Sequence, residues 1–220
     1  MSGGMVVVAV AVSALLTVTA CGPAAETRAG RESLFALADL AAQRVQVADA
    51  VAAAKWGTDA PIDDPVREQA VLRSAATKSA RLAIDPATSI QIFTDQIEAN
   101  KTVQYALYSY WNTHPDQVPS RRPDLGRIRP ILDQITDRLL TQLKTTQHVR
   151  AGRDCGTQLA AARQQVKLAR ALDSLHDNAL GQALESVCHV KATTPRPGPP
   201  TTTHAASSTG EPARNNKDHK

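Results

Sequence analysis

The stretch Leu34–Lys55, LFALADLAAQRVQVADAVAAAK, decides the fold. Its residues Leu34, Leu37, Ala41, Ala48 and Val51 recur at three- and four-residue intervals, the period of a helix with one buried stripe. Two positions of that stripe are Arg44 and Lys55. At about 100° per residue with Asp39 as zero, Gln43 lies at about +40° and Gln46 at about −20°, the side expected to face water. On the same scale Arg44 falls at about +140° and Lys55 at about +160°, so the two cations share one line on the opposite side. A lone helical Arg or Lys is ordinarily solvated, its stem lying over apolar surface. Two on one line of an apolar face is a different pattern, because a buried cation is expensive unless an anion meets it. No acidic residue of this helix faces them, which points to an anionic ligand.

The segment Asp85–Trp111 repeats the anomaly. Its stripe reads Ile90, Phe93, Ile97, Asn100, Gln104, Leu107 and Trp111, with amides at two middle positions. Asn100 and Gln104 are four apart and share a face. Two buried amides without partners are costly. A polar pocket between the two helices satisfies both sets, with cations on one wall and neutral hydrogen-bonding groups on the other.

The rest of the 220-residue chain reads as one all-α domain. Alanine and leucine dominate, aromatics are 3%, and strand-like alternation is absent. The helical body runs over Ser33–Val190. Asp64-Pro65 and Asp85-Pro86 each set an N-cap acid before a first-turn proline, and the first opens a helix to Leu82. Turn residues fill Asn112–Pro123. A helix follows over Leu125–Gln147 with stripe Ile128, Leu132, Ile135, Leu139 and Leu143, and Pro130 belongs in its first turn or at a kink. After a break at Gly152–Gly156 come helices over Thr157–Leu172 and Ser174–Cys188, about six in all. Residues 191–220 are Pro, Thr, Ser and charge with nothing large to bury, which reads as a disordered tail.

The net charge of +4 is misleading. The tail carries +3 of it and residues 1–20 carry no charged side chain, so the helical body is near +1. That argues against a nucleic-acid surface, which needs clustered cations. No P-loop, GxGxxG, CxxC or HExxH occurs. His189 beside Cys188 lacks companions at metal-ligand spacing, so no metal is expected.

The N-terminus reads as an export signal. Met5–Ala20 is an unbroken run of apolar and small residues, too short to span a bilayer well. It ends in Val18-Thr19-Ala20-Cys21-Gly22, which resembles the lipobox of bacterial lipoproteins, with Cys21 as the acylated residue. No Lys or Arg precedes the run, a departure from the usual pattern, and simple secretion and an uncleaved anchor are the alternatives. Residues 22–32 read as a short linker. With Cys21 lipidated, Cys155 and Cys188 are left either as a disulfide stapling a C-terminal helical hairpin or as free buried thiols. An oxidising compartment favours the disulfide.

Three segments carry a family resemblance: AAQRVQVADAVAAAKW (41–56), PIDDPVREQ (61–69) and IFTDQIEANKTVQY (92–105). Together they resemble the exported, gamma-class, all-helical chorismate mutases of the mycobacterial secreted type, over about residues 34–190. The shared pattern is an Arg, a Lys eleven later, an Arg twelve after that and an Asn/Gln pair on the next long helix. The resemblance implies a single chorismate mutase type II domain at 33–190, a disulfide between Cys155 and Cys188, a homodimer, and conversion of chorismate to prephenate without cofactor or metal. It implies that Arg44 and Arg129 clamp carboxylates, that Arg67 completes a cationic wall, and that Lys55 and Gln104 donate to the ether oxygen. Asn100 resembles a carboxylate contact, and Asp64 and Glu68 resemble positions near the substrate hydroxyl. Without the resemblance, Arg67 and Arg129 read as ordinary helix-terminal arginines. The competing reading is a non-catalytic exported helical lipoprotein that binds a small dicarboxylate or a protein partner. A purely structural envelope domain gives no reason for charges on buried stripes.

Overall fold

The computed structural model describes the backbone of residues 23–188 and the side chains of residues 34–188. Residues 1–21, read as an export signal ending in a lipobox at Cys21, and the tail at 191–220 lie outside the described residues. Within them the chain forms seven α-helices and no strand. These are α1 (Pro23–Lys55), α2 (Pro65–Arg81), α3 (Pro86–Thr113), α4 (Leu125–Thr145), α5 (Gln147–Ala151), α6 (Cys155–Ala169) and α7 (Ser174–Ala183), with a 3-10 turn at Pro115–Gln117. The helix beyond the expected six is α5, a short extra piece directly after α4. The segment expected as a linker is helical from Pro23 onward, and Ala24, Ala25, Glu26, Arg28 and Ala29 are all good helix formers.

Helix α1 is the axis on which α3, α4, α6 and α7 all pack. Its residues Leu34, Leu37, Ala38, Leu40, Ala41 and Ala42 close against Ile92 and Phe93 of α3, Leu139, Leu140 and Leu143 of α4, and Val166 of α6. A helix packed on several neighbours is buried nearly all round, so a single apolar stripe is too narrow a description. The side of α1 expected to be wet is a polar seam with α6. Arg170 donates from Nη2 to Asp39 Oδ2 at 2.8 Å and from Nη1 to Gln46 Oε1 at 3.0 Å, while Gln43 donates to Asp39 Oδ2 at 2.9 Å. Burial alone would raise the Asp39 carboxyl, but its hydrogen bonds to Arg170 and Gln43 and the charge of Arg170 outweigh that and hold its pKa down.

Helices α2 and α3 begin where the Asp-Pro pairs place them. Asp64 Oδ1 accepts from the Arg67 amide at 3.0 Å, and Asp85 accepts from the Ala87 and Thr88 amides, each at 3.2 Å. Helix α4 starts earlier than Pro130 requires. Asp124 caps it, accepting from the Gly126 amide at 2.7 Å, so Pro130 lies in the second turn rather than the first, with its ring exposed. Ile90, expected on the buried stripe of α3, is 40% exposed. Because α3 packs on α1, α2 and α7 together, its buried line runs instead through Ile92, Gln96, Ala99 and Val103.

Cys155 at the head of α6 and Cys188 beyond α7 form a disulfide with Cα atoms 5.7 Å apart. Closing a loop with their sequence separation of 33 contributes about 3–4 kcal/mol by chain entropy. A further tie on α7 is His176, whose ring nitrogens lie 2.9 Å from Asp49 Oδ1 on α1 and 2.8 Å from the N-cap Asp173. The Asp49 hydrogen bond, opposed by burial and aided by Asp173, raises the imidazole to about 9. A raised folded pKa means that the protonated ring stabilises the fold fully below its unfolded value of about 6.5, and that this is lost as pH rises through about 9. Thermal denaturation across that window is expected to show a falling midpoint that His176→Gln flattens. An unchanged slope in the variant would show that the Asp49–His176 contact does not carry charge.

Candidate active site

Arg44 points from α1 toward α4 and is only 5% exposed. Its Nη1 donates to Thr136 Oγ1 at 2.8 Å and to the Leu132 carbonyl at 3.2 Å. The Phe93 ring lies beneath the guanidinium, 5.6 Å from Cζ to the ring centroid. Its Nε is buried and has no hydrogen-bond partner. None of the ion pairs among the described residues includes Arg44. Burial pulls its pKa down to about 10, with Asp133 opposing and Arg67 adding to the depression, so the group is still charged at neutral pH. This is an expensive arrangement unless an anion joins it.

Lys55 closes α1 three turns further on. Its Nζ donates to the Pro61 carbonyl at 2.8 Å and to Ile62 O at 3.5 Å, which folds the α1–α2 loop back over the end of the helix. Burial lowers its pKa, Asp64 and Glu68 raise it, and Arg129 lowers it further.

Helix α3 supplies a ladder of amides at four-residue spacing. Gln96 donates to Ala183 O on α7 at 2.8 Å. Asn100 Nδ2 donates to two carbonyls, Arg44 O and Gln96 O, each at 3.2 Å. Gln104 Nε2 donates to Asn100 O at 3.2 Å, and its Oε1 is buried without a partner. Because carbonyls only accept, the Asn100 orientation is fixed by its partners. Both its protons are committed, and Oδ1 is the atom it has left to offer.

Arg44, Lys55, Asn100 and Gln104 meet in one cavity of about 140 Å³ between α1, α2, α3 and α4. A water needs about 10–15 Å³ on this measure, so the space suits a metabolite rather than a few solvent molecules. All eight residues read from the sequence line it: Arg44, Lys55, Asp64, Arg67, Glu68, Asn100, Gln104 and Arg129. Val51, Ile62, Val71, Ile97, Leu125, Ile128 and Leu132 form its apolar walls. Asp64 and Glu68 also fix the head of α2, since Glu68 Oε1 accepts from the Asp64 amide at 3.2 Å. Arg67 faces Asp133 at 3.8 Å across the mouth, where both are well exposed.

Three polar lining residues escaped the sequence reading: Lys101, Asp133 and Thr136. Lys101 is tied up by carboxylates, at 2.7 Å from Glu98, 3.2 Å from Asp63 and 3.5 Å from Glu68. Burial opposes its charge but these carboxylates outweigh it and raise its pKa, and Tyr105 hydrogen-bonds the same Asp63. Thr136 carried a usable signal, because it lies four residues after Leu132 on the stripe of α4. Five cations and three carboxylates line the cavity, an excess of two positive charges.

Comparison with known proteins finds relatives over most of the chain. The profile of the family "Chorismate mutase type II" matches residues 36–105. The secreted chorismate mutase of Mycobacterium tuberculosis is 34% identical over 181 residues, 82% of this chain and 91% of that protein. Its counterpart in Mycolicibacterium smegmatis is 33% identical over 175 residues, 80% of this chain and 97% of that one. The crystal structure of chorismate mutase from Burkholderia phymatum superposes with a TM-score of 0.70 at 37% identity, covering 73% of this chain and 98% of that one.

Proposed function

This chain belongs to the chorismate mutase type II family, and we infer that its cavity converts chorismate to prephenate. The observation that carries the reading is the excess of two positive charges in a half-apolar cavity, anchored by a buried Arg44 without an acidic partner. Chorismate carries two carboxylates and a hydroxyl. Its rearrangement is intramolecular: the ether bond breaks as a carbon–carbon bond forms, and negative charge builds on the ether oxygen. No proton has to be moved and no covalent intermediate is needed. The protein's task is to hold the compact conformer and to stabilise that developing charge.

Arg44 and Arg129 are the carboxylate clamps, guanidinium being suited to bidentate binding, and Arg67 extends the cationic wall. Lys55 and Gln104 donate to the ether oxygen from α1 and α3. One Nε2 proton of Gln104 is held by Asn100 O, which leaves the other for the substrate. Asn100, with both amide protons spent on carbonyls, fits better as an acceptor for the substrate hydroxyl than as a carboxylate contact. Asp64 and Glu68 serve the same hydroxyl end. A bound dianion favours the protonated form of Lys55, offsetting the burial that lowers its pKa.

The same reading places the reaction outside the cytoplasm, supported by the apolar N-terminal run and by relatives that are named secreted. Lipid attachment at Cys21 and a homodimer belong to it as well. Fatty-acid labelling of wild type and Cys21→Ser tests the first, and light scattering the second.

The primary test is turnover of purified protein, following chorismate loss by ultraviolet absorbance with acid conversion of prephenate to phenylpyruvate as product proof. Saturable turnover is expected, with Lys55→Ala lowering kcat about 10²–10³-fold, the usual loss for one preorganised donor. A folded protein without turnover would reject the reading in favour of a binding module. The pH profile tests Gln104 separately. A neutral amide donates at any pH, so activity is expected to stay flat from pH 5 to pH 7, about the range over which a carboxyl donor would be lost. In Gln104→Glu the donor must be a protonated carboxyl, so activity should fall as pH rises through the same range. A steep profile in the wild type would remove Gln104 from the donor role.

A further inference from the structure

Thr136 holds one nitrogen of Arg44, and its own hydroxyl is spent in doing so. The Thr136 Oγ1–H donates to Leu132 O at 2.8 Å, so the oxygen presents only lone pairs toward α1. Arg44 Nη1 donates to that oxygen at 2.8 Å and to Leu132 O at 3.2 Å. Both Nη1 protons are thereby committed inside the protein. What remains of the guanidinium is Nε–H, buried and without a partner, and Nη2. Nε is closed off even from a water-sized molecule, so Nη2 is the nitrogen that the guanidinium has left to offer a ligand. The Phe93 ring under the guanidinium limits its tilt.

We propose that Thr136 is a positioning residue for the mutase reaction: by capturing Nη1 it makes Arg44 offer Nη2 alone, rather than its Nη1/Nη2 end, to a substrate carboxylate. Thr136 touches no substrate in this arrangement and acts through Arg44. The inference rests on the chorismate mutase reading above. It adds which nitrogen of the clamp binds and which residue outside the expected set decides it. Rotation of the guanidinium would bring Nη1 into the cavity and misplace the carboxylate, at a step where small displacements are costly in rate.

The test compares Thr136→Val, which keeps the shape and removes the hydroxyl, with Thr136→Ser, which keeps the hydroxyl. Losing a hydrogen bond to a charged group is expected to lower kcat/KM roughly 10–100-fold in Thr136→Val. Thr136→Ser should stay within about threefold of wild type, the remainder being a packing loss. In an Arg44→Ala background, Thr136→Val should have no further effect, since the group it positions is gone. Wild-type turnover in Thr136→Val, an equal loss in Thr136→Ser, or a loss that persists without Arg44 would overturn the proposal. A second readout does not depend on the folding of any variant. In wild type the Arg44 Nη2–H proton resonances should move downfield on adding prephenate, and unmoved resonances would place the carboxylate elsewhere. Failure of the wild type to convert chorismate would instead remove the reading on which the proposal stands.

Discussion

The buried guanidinium of Arg44 is the constraint that the rest of the structure serves. A helix packed on several sides would be more stable with Leu or Met at that position, because a buried charge gives up hydration that neutral partners do not restore. The neighbouring elements are arranged around it. Helix α4 supplies a hydroxyl and a carbonyl, α3 supplies the face of Phe93, and Asn100 grips the carbonyl of Arg44 itself. Backbone and side chain of the same residue are thus fixed from two directions. Stability is given up for a preorganised cation, a common trade at functional sites.

Around that cation the charges divide into those already satisfied and those kept available. Lys101 is surrounded by Glu98, Asp63 and Glu68, so it ties α2 to α3 and adds little field in the cavity. Lys55 is held only by carbonyls, and Arg44 by a hydroxyl and a carbonyl. Those neutral partners orient the cations without cancelling them. This separation suits a reaction in which nothing is transferred and the protein contributes position and field alone. It also explains how Asp64 and Glu68 can line an anion-binding cavity: both are engaged at the head of α2, where they fix the loop that Lys55 grips.

Much of this was legible because helical periodicity turns sequence spacing into direction. Arg44 and Lys55 stood out as cations on an apolar line, and Asn100 and Gln104 as amides on another. The Asp-Pro pairs gave two helix starts to the residue. What could not be read depended on neighbours. Asp39, Gln43 and Gln46 have the pattern of a wet face, yet Arg170 from a helix more than a hundred residues away covers them. Gln96 belongs to the same ladder as Asn100, but its partner is a backbone carbonyl of α7 with no sequence signature. Helix α6 ends at Ala169 rather than near Leu172, where the expected stop lay. The residue that turns the chain is Ala171 at φ +49°, a left-handed position that Gly usually marks. Ile90 misled for the opposite reason, as an apolar residue that the packing of α3 leaves outside.

The most direct measurement is the unfolding free energy of wild type and Arg44→Met, each with and without prephenate. If Arg44 is a buried charge kept for a dianion, Arg44→Met is as stable as wild type or more so without ligand, because no ion pair is broken and Thr136 keeps its bond to Leu132. Prephenate then stabilises the wild type and leaves the variant unmoved. A variant that loses several kcal/mol without ligand, on the scale of about 3–5 kcal/mol for a broken buried pair, and still responds to prephenate would contradict the account. Arg44 would then be part of the scaffold, and the cavity would owe its anion affinity to other residues.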